Sequence, residues 1–334
     1  MSTTNANVSN FSFDPSAKFL FKRTWALAIG APYQTAAVQY SNLPFTPPKG
    51  PEQAASPLRI KFDIQKTPFG SSPNHSKFEI YNMSPENRAR IKKGNVVLLR
   101  AGYMGALDTI FVGNISLLGL KTQRHGADIV TTFEAGDGES AIVNARLDKS
   151  YPPGTPLYRV LQDLAGAMAQ VTTANPFGVN AGSAIGIPPE TFGRGYTVSG
   201  ECRRSLDKLL KPRGLRWHVQ NGNLFIHPVG MTNGSSAVVV DQKHGMIGVP
   251  SQNSQYTEFI SLLNPRLVPG GYVQLTSAES ANLNGFYKIE NSHFQGDTHD
   301  NKWQVSCQGV AQPSVKALPI ASGNDFSGAV TSTA

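Results

Sequence analysis

Four places in the 334-residue chain gather side chains capable of chemistry. His218 and His227 flank Asn221-Gly222 in "LRWHVQNGNLFIHP". An Asn-Gly pair between two alternating runs is a strong hairpin signal, and a two-residue turn fixes the register. Gln220 then faces Asn223, Val219 faces Leu224, His218 faces Phe225, Trp217 faces Ile226 and Arg216 faces His227. The imidazoles fall on one face as diagonal neighbours, roughly 7–8 Å apart at the backbone. No Cys, Asp or Glu on that face adds a third ligand, so a metal is not expected and a polar, partly exposed hairpin face is. "HFQGDTHD" gathers His293, Asp297, His299 and Asp300. Its spacing matches no ligand pattern, and its Gly-Asp core suits a hairpin loop. Glu134, Asp137 and Glu139 in "FEAGDGES" form the one tight acidic group available for two-carboxylate chemistry, but Gly-Asp-Gly reads as a turn. Ser199 and Ser205 lack a nucleophile elbow. "GRGYTVSG" lacks both the strand–GxGxxG–helix order and the Lys-Ser/Thr of a phosphate cradle. No catalytic constellation, cofactor site or metal site emerges.

A basic group remains. "YNMSPENRARIKKGNVVLL" places a short helix between two strand-like runs. Ser84 caps it, Pro85 suits its first position, Glu86 favours its positive end and Gly94 closes it. At 100° per residue Arg88 and Lys92 share one side while Arg90 points away, with Lys93 beside them. No aromatics interleave for base stacking, so a solvated or protein-facing surface is expected ahead of a nucleic-acid site. Two turns with almost no apolar face are marginal alone, so the helix needs an outside reason to exist.

The elements around these residues are mainly strands. Glycine (32) and proline (23) punctuate short alternating runs of Val, Ile, Thr and aromatics. "FLFKRTWALAIG", "LRIKFDIQKT", "KFEIYNM", "NVVLLRAGY", "DTIFVGNISLLGLKT" and "ADIVTTFEA" read as about six strands, which suits a closed or nearly closed barrel. In "LRIKFDIQKT", Ile60, Phe62 and Ile64 share one face while Lys61, Asp63 and Gln65 share the other. Thr155 and Pro156 open a helix buried through Leu157, Val160, Leu161, Leu164 and Met168. Residues 172–194 read as an irregular, mobile loop. "YTV" starts a β-α-β-β module whose helix opens at Ser199, is buried through Leu206, Leu209 and Leu210, and lies on the apolar face of the 215–228 hairpin. "AVVVDQ", "FISLLNP", "GYVQLTSA", "GFYKIENSHF" and "KWQVSCQGV" form a second β unit, with "HGMIGVP" taken as a turn.

The bulk numbers set limits. Apolar content is 40 %. No apolar run approaches the roughly 18 residues of a membrane span, and the N-terminus lacks a secretory pattern. Cys202 and Cys307 are far apart in sequence and read as buried free thiols of a cytoplasmically folded chain. The net charge of +8 lies mostly in the first 150 residues and is scattered, which favours an anionic neighbour without marking nucleic-acid binding.

Taken in order, "FEIYNMSPENRARIKKGNVVLLRAGY", "FEAGDGESA", "GTPLYRVLQDLA", "YTVSGECRRSLDKLLKPRGLRWHVQNGNLFI", "HGMIGVP", "LLNPRLVPGGYVQL" and "GFYKIENSHFQGDTHDNKWQVSCQGV" resemble the baseplate (tail) hub proteins of contractile-tailed bacteriophages, the late-control protein D-like family. The resemblance implies a mainly β chain with a small α/β module and two tail-tube-like β-barrels. It divides the sequence into a flexible arm (1–17), a first barrel (18–150), a helical connector with the α/β module (151–234), a second barrel (235–311) and a flexible tail (312–334). It implies a homotrimeric, pseudo-sixfold ring joining a sixfold tail tube to a threefold spike. The implied partners are the tail tube protein, the central spike protein and baseplate wedge proteins. DNA would pass through the lumen without specific binding, and a weakly adhesive lumen is expected because many Lys/Arg–phosphate contacts would stall it. The implied location is the virion tail baseplate after assembly in the host cytoplasm, with no membrane insertion. Some hubs carry a fused hydrolase, and no segment is left here to house one. Within this picture Ser84, Glu86, Arg88, Arg90, Lys92 and Lys93 are the expected contact with a neighbouring subunit or baseplate protein. A tail-tip peptidoglycan hydrolase and a nucleic-acid-binding β-barrel protein are the rival readings.

Overall fold

The computed structural model describes residues 22–31, 38–42, 58–68, 70, 73–104, 106–116, 120–170, 178–233 and 237–312. The terminal arm and the 46–57 loop lie outside these residues, as does the tail beyond Gln312.

The first β unit comprises β1 (Arg23–Gly30), β2 (Val38–Ser41), β3 (Ile60–Lys66), β4 (His75–Tyr81), α1 (Pro85–Arg90), β5 (Val96–Tyr103), β6 (Ala106–Ile115), β7 (Lys121–His125) and β8 (Asp128–Asp137). Period-two alternation drives it. Ile60, Phe62 and Ile64 are buried on one face of β3, and Phe78 and Ile80 on one face of β4. The run expected as one long strand is divided into β6 and β7, and both pair with β8. The helix α1 ends at Arg90, where Ile91 turns extended and buried, so Gly94 (φ +79°) makes the next turn rather than closing the helix. "FEAGDGES" is not a hairpin turn. Asp137 ends β8, and Gly138 in the left-handed region starts α2 (Glu139–Asn144).

The middle segment carries β9 (Lys149–Tyr151), α3 (Leu157–Ala169), β10 (Asn180–Ala184), β11 (Tyr196–Val198), α4 (Cys202–Leu210), β12 (Leu215–Gln220) and β13 (Asn223–Pro228). The hairpin register is as expected at every pair from Gln220–Asn223 to Arg216–His227. Asn221 (φ 53°) and Gly222 (φ 72°) supply the left-handed pair that a two-residue turn needs. Leu157, Val160, Leu161, Leu164 and Met168 of α3 pack with Leu206, Leu209 and Leu210 of α4 and the apolar face of β12 and β13. Three expectations change. The third strand of the module's sheet is β10, parallel to β13 and drawn from the supposed loop, while "YTV" (β11) pairs with β9. The helix α4 starts after Glu201, because the Ser199 hydroxyl instead donates to Asp148. The helix α3 starts one residue past Pro156, and Thr155 donates to the Pro152 carbonyl.

The second β unit comprises β14 (Val238–Val240), β15 (Met246–Gln252), β16 (Thr257–Leu262), β17 (Tyr272–Leu275), β18 (Gly285–Asp297) and β19 (Trp303–Ala311). "HGMIGVP" is therefore largely strand. Gly245 (φ 92°) turns the chain into it.

The two β units repeat one topology. Following the pairings, the first runs β3-β4-β8-β6-β5-β1 and the second runs β15-β16-β19-β18-β17-β14. Six strands taken in the same chain order thus give the same sheet order. The first four pairings are antiparallel in both units. The last differs, since β1–β5 is antiparallel and β14–β17 parallel. The first unit adds β2 and β7. The units are joined. The second half of β18 pairs with β3, making one continuous 14-stranded sheet over one shared hydrophobic core. Among the described residues no pairing closes either half. The join is tight: a Cβ at Gly296 of β18 would sit 2.1 Å from the Phe62 ring of β3.

Candidate functional site

The six residues expected to face a partner lie together on the surface. Ser84 accepts the Asn87 amide at 3.2 Å, and Asn87 Nδ2 donates to the Tyr40 hydroxyl, which fastens α1 to β2. Glu86 and Arg90 pair at 2.9 Å across one exposed turn. Asn95 holds the Arg90 carbonyl at 2.9 Å. Arg88 is half-buried, and Lys92 and Lys93 are exposed. No ion pair among the described residues engages these three. Lys92 and Lys93 lie beyond the helix, so Arg88 and Lys92 do not share a helical face. No residue of α1 is buried.

A second feature is a clamp. The β12–β13 hairpin is seated across the junction of the two β units, with one buried lysine on each side. At the hairpin tip, Lys66 of β3 and Asp137 of β8 are fully buried and 4.0 Å apart. Lys66 donates to Asn221, and Asp137 accepts the backbone N–H groups of Asn221 (2.8 Å) and Gly222 (3.0 Å). Burial pulls Lys66 down to about 8 against the pull of Asp137, and burial pushes Asp137 up against Lys66. Toward the hairpin base, Lys288 of β18 is buried and 2.9 Å from Glu290, which also takes Arg216 of β12 at 2.9 Å. Asn74 and Gln220 add neutral bonds to the first unit. The sequence carried one signal for this clamp: Lys66 is in phase with Ile60, Phe62 and Ile64 on the apolar face of its strand.

The histidine pair completes the clamp. His218 and His227 are buried, not partly exposed, with Nε2 atoms 3.1 Å apart. The loop before β17 covers them, and a Cβ at Gly270 (φ +80°) would lie 3.5 Å from both Nε2 atoms. His227 gives its Nδ1–H to the Pro228 carbonyl at 3.0 Å, which leaves its Nε2 to accept from His218. Burial is the largest cause holding both imidazoles below their ordinary value. Lys288 and Arg216 add to it, and Glu290 opposes it at His227.

The other chemical candidates are dispersed. His293 pairs with Asp63 at 2.7 Å, Asp297 with Arg59 at 2.7 Å, and His299 with Thr298. Glu139 accepts from Ser116. Among the described residues no group of three or more His, Cys, Asp or Glu is placed to hold a metal, and no helix is long and apolar enough to cross a membrane. Cys202 and Cys307 are buried free thiols, pushed up to about 12 mainly by burial.

The solvent face of β18, β3, β4 and β8 forms a hollow of about 620 Å³. Lys61, Lys77 and Lys302 line it with Asp63, Glu79, Glu134, Asp297 and Asp300, so its charge is mixed with an acidic excess.

No family model and no curated protein matches the sequence. Solved structures do match in fold. A tail protein from Neisseria meningitidis MC58 aligns over 88 % of this chain and 97 % of its own, at 9 % identity and a TM-score of 0.54. The 43 kDa tail protein of prophage MuSo2 from Shewanella oneidensis aligns over 87 % and 98 %, at 12 % identity and a TM-score of 0.53. The E. coli c3393 protein, a type VI secretion component with structural similarity to T4 bacteriophage tail proteins gp27 and gp5, aligns over 77 % and 75 %, at 12 % identity and a TM-score of 0.50. The chain therefore has the mainly β fold of phage tail proteins, the fold that the resemblance to the hub family implied.

Proposed function

We propose that this chain is a structural baseplate hub of a phage-type contractile tail, acting by assembly rather than turnover. The observation that carries the reading is the repeated strand order. One polypeptide supplies two like staves, so three copies present six similar positions to a sixfold tail tube while keeping threefold symmetry toward a spike. The division at residues 150 and 234 into two staves and a connector belongs to this proposal. So do the tube, spike and wedge proteins as partners, and residence in the virion after cytoplasmic assembly. The clamp gives the staves a fixed relation, as a ring that bears load requires. The mixed charge of the 620 Å³ hollow suits a lumen wall, because an acidic excess offers few phosphate contacts to passing DNA. Ser84, Glu86, Arg88, Arg90, Lys92 and Lys93 then face outward, toward a neighbouring subunit or baseplate protein.

Light scattering on the purified full chain tests this directly. Three chain masses, with six lobes in particle images, is the expected result. A chain that stays monomeric at every concentration overturns a self-assembling ring.

A further inference from the structure

The repeat makes the junction inside the chain a template for the junction between chains. In the second unit, β18 runs for 13 residues. Its first part pairs with β17 on one side, its last part (292–297) pairs with β3 on that same side, and β19 covers the other. In the first unit, β6 and β7 together take the place of β18. The strand β6 pairs with β5, and both β6 and β7 pair with β8. The stretch that corresponds to 292–297 is therefore β7. Its side away from β8 carries no strand among the described residues, and all five of its residues are exposed. The counterpart of β3 is β15, which pairs with β16 and has no strand on its other side among the described residues. The strand β15 also exposes Ile247 and Val249, apolar side chains on an edge where solvated strands ordinarily place charge.

We infer that β7 of one copy pairs antiparallel with β15 of the next, repeating between chains the β3–β18 join within each. This rests on the ring reading above and names its seam. The partner is a second copy of this chain. The contact is heterologous, with unlike edges meeting head to tail, so it closes only as a ring. Gly248 (φ +70°) and Pro250 put a bulge in β15, and its register on β16 shifts between Ile247 and Ser251. Pro250 has no N–H to donate, so backbone pairing is interrupted there and the apolar Ile247 and Val249 contribute packing beside it. The basic residues Lys121 and Arg124 of β7 lie at an edge where the facing strand carries no charged residue of its own.

Cysteine pairing decides it. The native thiols are buried, so a full chain carrying Gln123→Cys and Val249→Cys offers two accessible sites. A short bis-maleimide should give covalent dimers and closed trimers from this double variant, and from a mixture of the two single variants only dimers. Neither single variant alone should cross-link. Gln123→Cys cross-linking to itself would show like edges meeting and overturn the seam. A trimer by light scattering without cross-links would overturn the seam and leave the ring standing. A monomer by light scattering would overturn both. Val249→Lys, at a half-exposed position the fold does not need, should weaken self-association at least tenfold with an unchanged monomer melting curve. Unchanged association would count against the seam.

Discussion

The two β units share a strand order and differ in how they fill and fasten it. Between β4 and β8 of the first, Phe78 lies opposite Phe133, the rings stacked at 5.1 Å with Phe111 beside them. Between β16 and β19 of the second, Phe259 lies opposite Cys307. The first unit holds the module through a fully buried ion pair, the second through a pair that also engages Arg216 and keeps Glu290 partly solvated. Like topology with unlike packing means that the strand order does not depend on one set of core contacts. It also means that the two units should respond differently to the same kind of change.

The largest expected difference is at the clamp. Lys66→Met leaves Asp137 buried without its cationic partner, so it should cost about 3–5 kcal/mol. Lys288→Met leaves Glu290 bonded to Arg216 and partly solvated, so about 1–2 kcal/mol is expected. Urea denaturation of the two variants measures both. Equal losses would mean that the fully buried pair is not what seats the hairpin. Core truncation should show a similar inequality. Phe133→Ala removes a stacked, fully buried ring, at about 3–5 kcal/mol, whereas Cys307→Ala removes one atom, at about 1 kcal/mol.

Acid comes next, and it should act on one side of the clamp. The folded-state pKa values of His218 and His227 are lowered, so below the ordinary value of 6.5 the unfolded chain binds more protons than the folded one. Stability from this source is present above about pH 6.5 and falls as pH drops, by up to about 1.4 kcal/mol per pH unit per histidine, until the folded values are reached. Gly270 and Lys288 of the second unit face the pair. Amide exchange at Gly270 and Ile289 should therefore accelerate before exchange at Asn221 and Gly222. His218→Gln should flatten the profile between about pH 6.5 and 5. A profile unchanged by that substitution would assign the acid limb to carboxylates.

These contacts mark what the sequence could carry. Local rules predicted the 215–228 hairpin residue by residue, because Asn221-Gly222 dictates one turn and hence one register. The same rules predicted the buried faces of α3 and α4 and most strands. They failed where distant chain decides. "HGMIGVP" looked like a turn because its glycines and proline mask an edge strand with a bulge. The strand β10 looked like a loop because Asn-Ala-Gly-Ser-Ala has little strand propensity and is held by its parallel partner β13. His218 and His227 looked partly exposed because the loop at Gly270 that buries them lies more than 40 residues on. The pairing of β3 with β18, over 220 residues apart, had no local signal at all. The exposure of Ser84, Glu86, Arg90, Lys92 and Lys93 was legible, since turn chemistry and charge are local. Only the end of α1 was misplaced, because Ile91 is drawn into the core and unwinds the last turn.

The smallest effect on the monomer, and the sharpest contrast between the units, belongs to α1. The second unit joins β16 to β17 without an α-helix, and that link inserts Leu263 and Leu267 into the core. The first unit uses a capped helix that buries nothing. A segment that buries no residue of its own, yet is held in place by Ser84, Asn87 and Asn95, is the one the proposed interface uses. Arg88→Glu with Lys92→Glu removes no ion pair among the described residues, so the monomer should keep its stability within about 0.5 kcal/mol. If the surface meets a subunit or a baseplate protein, the double variant should assemble measurably more weakly, and more so at low salt, where exposed charges are least screened. Assembly that is unchanged at low salt would remove α1 from the interface and leave the free edges β7 and β15 to account for it.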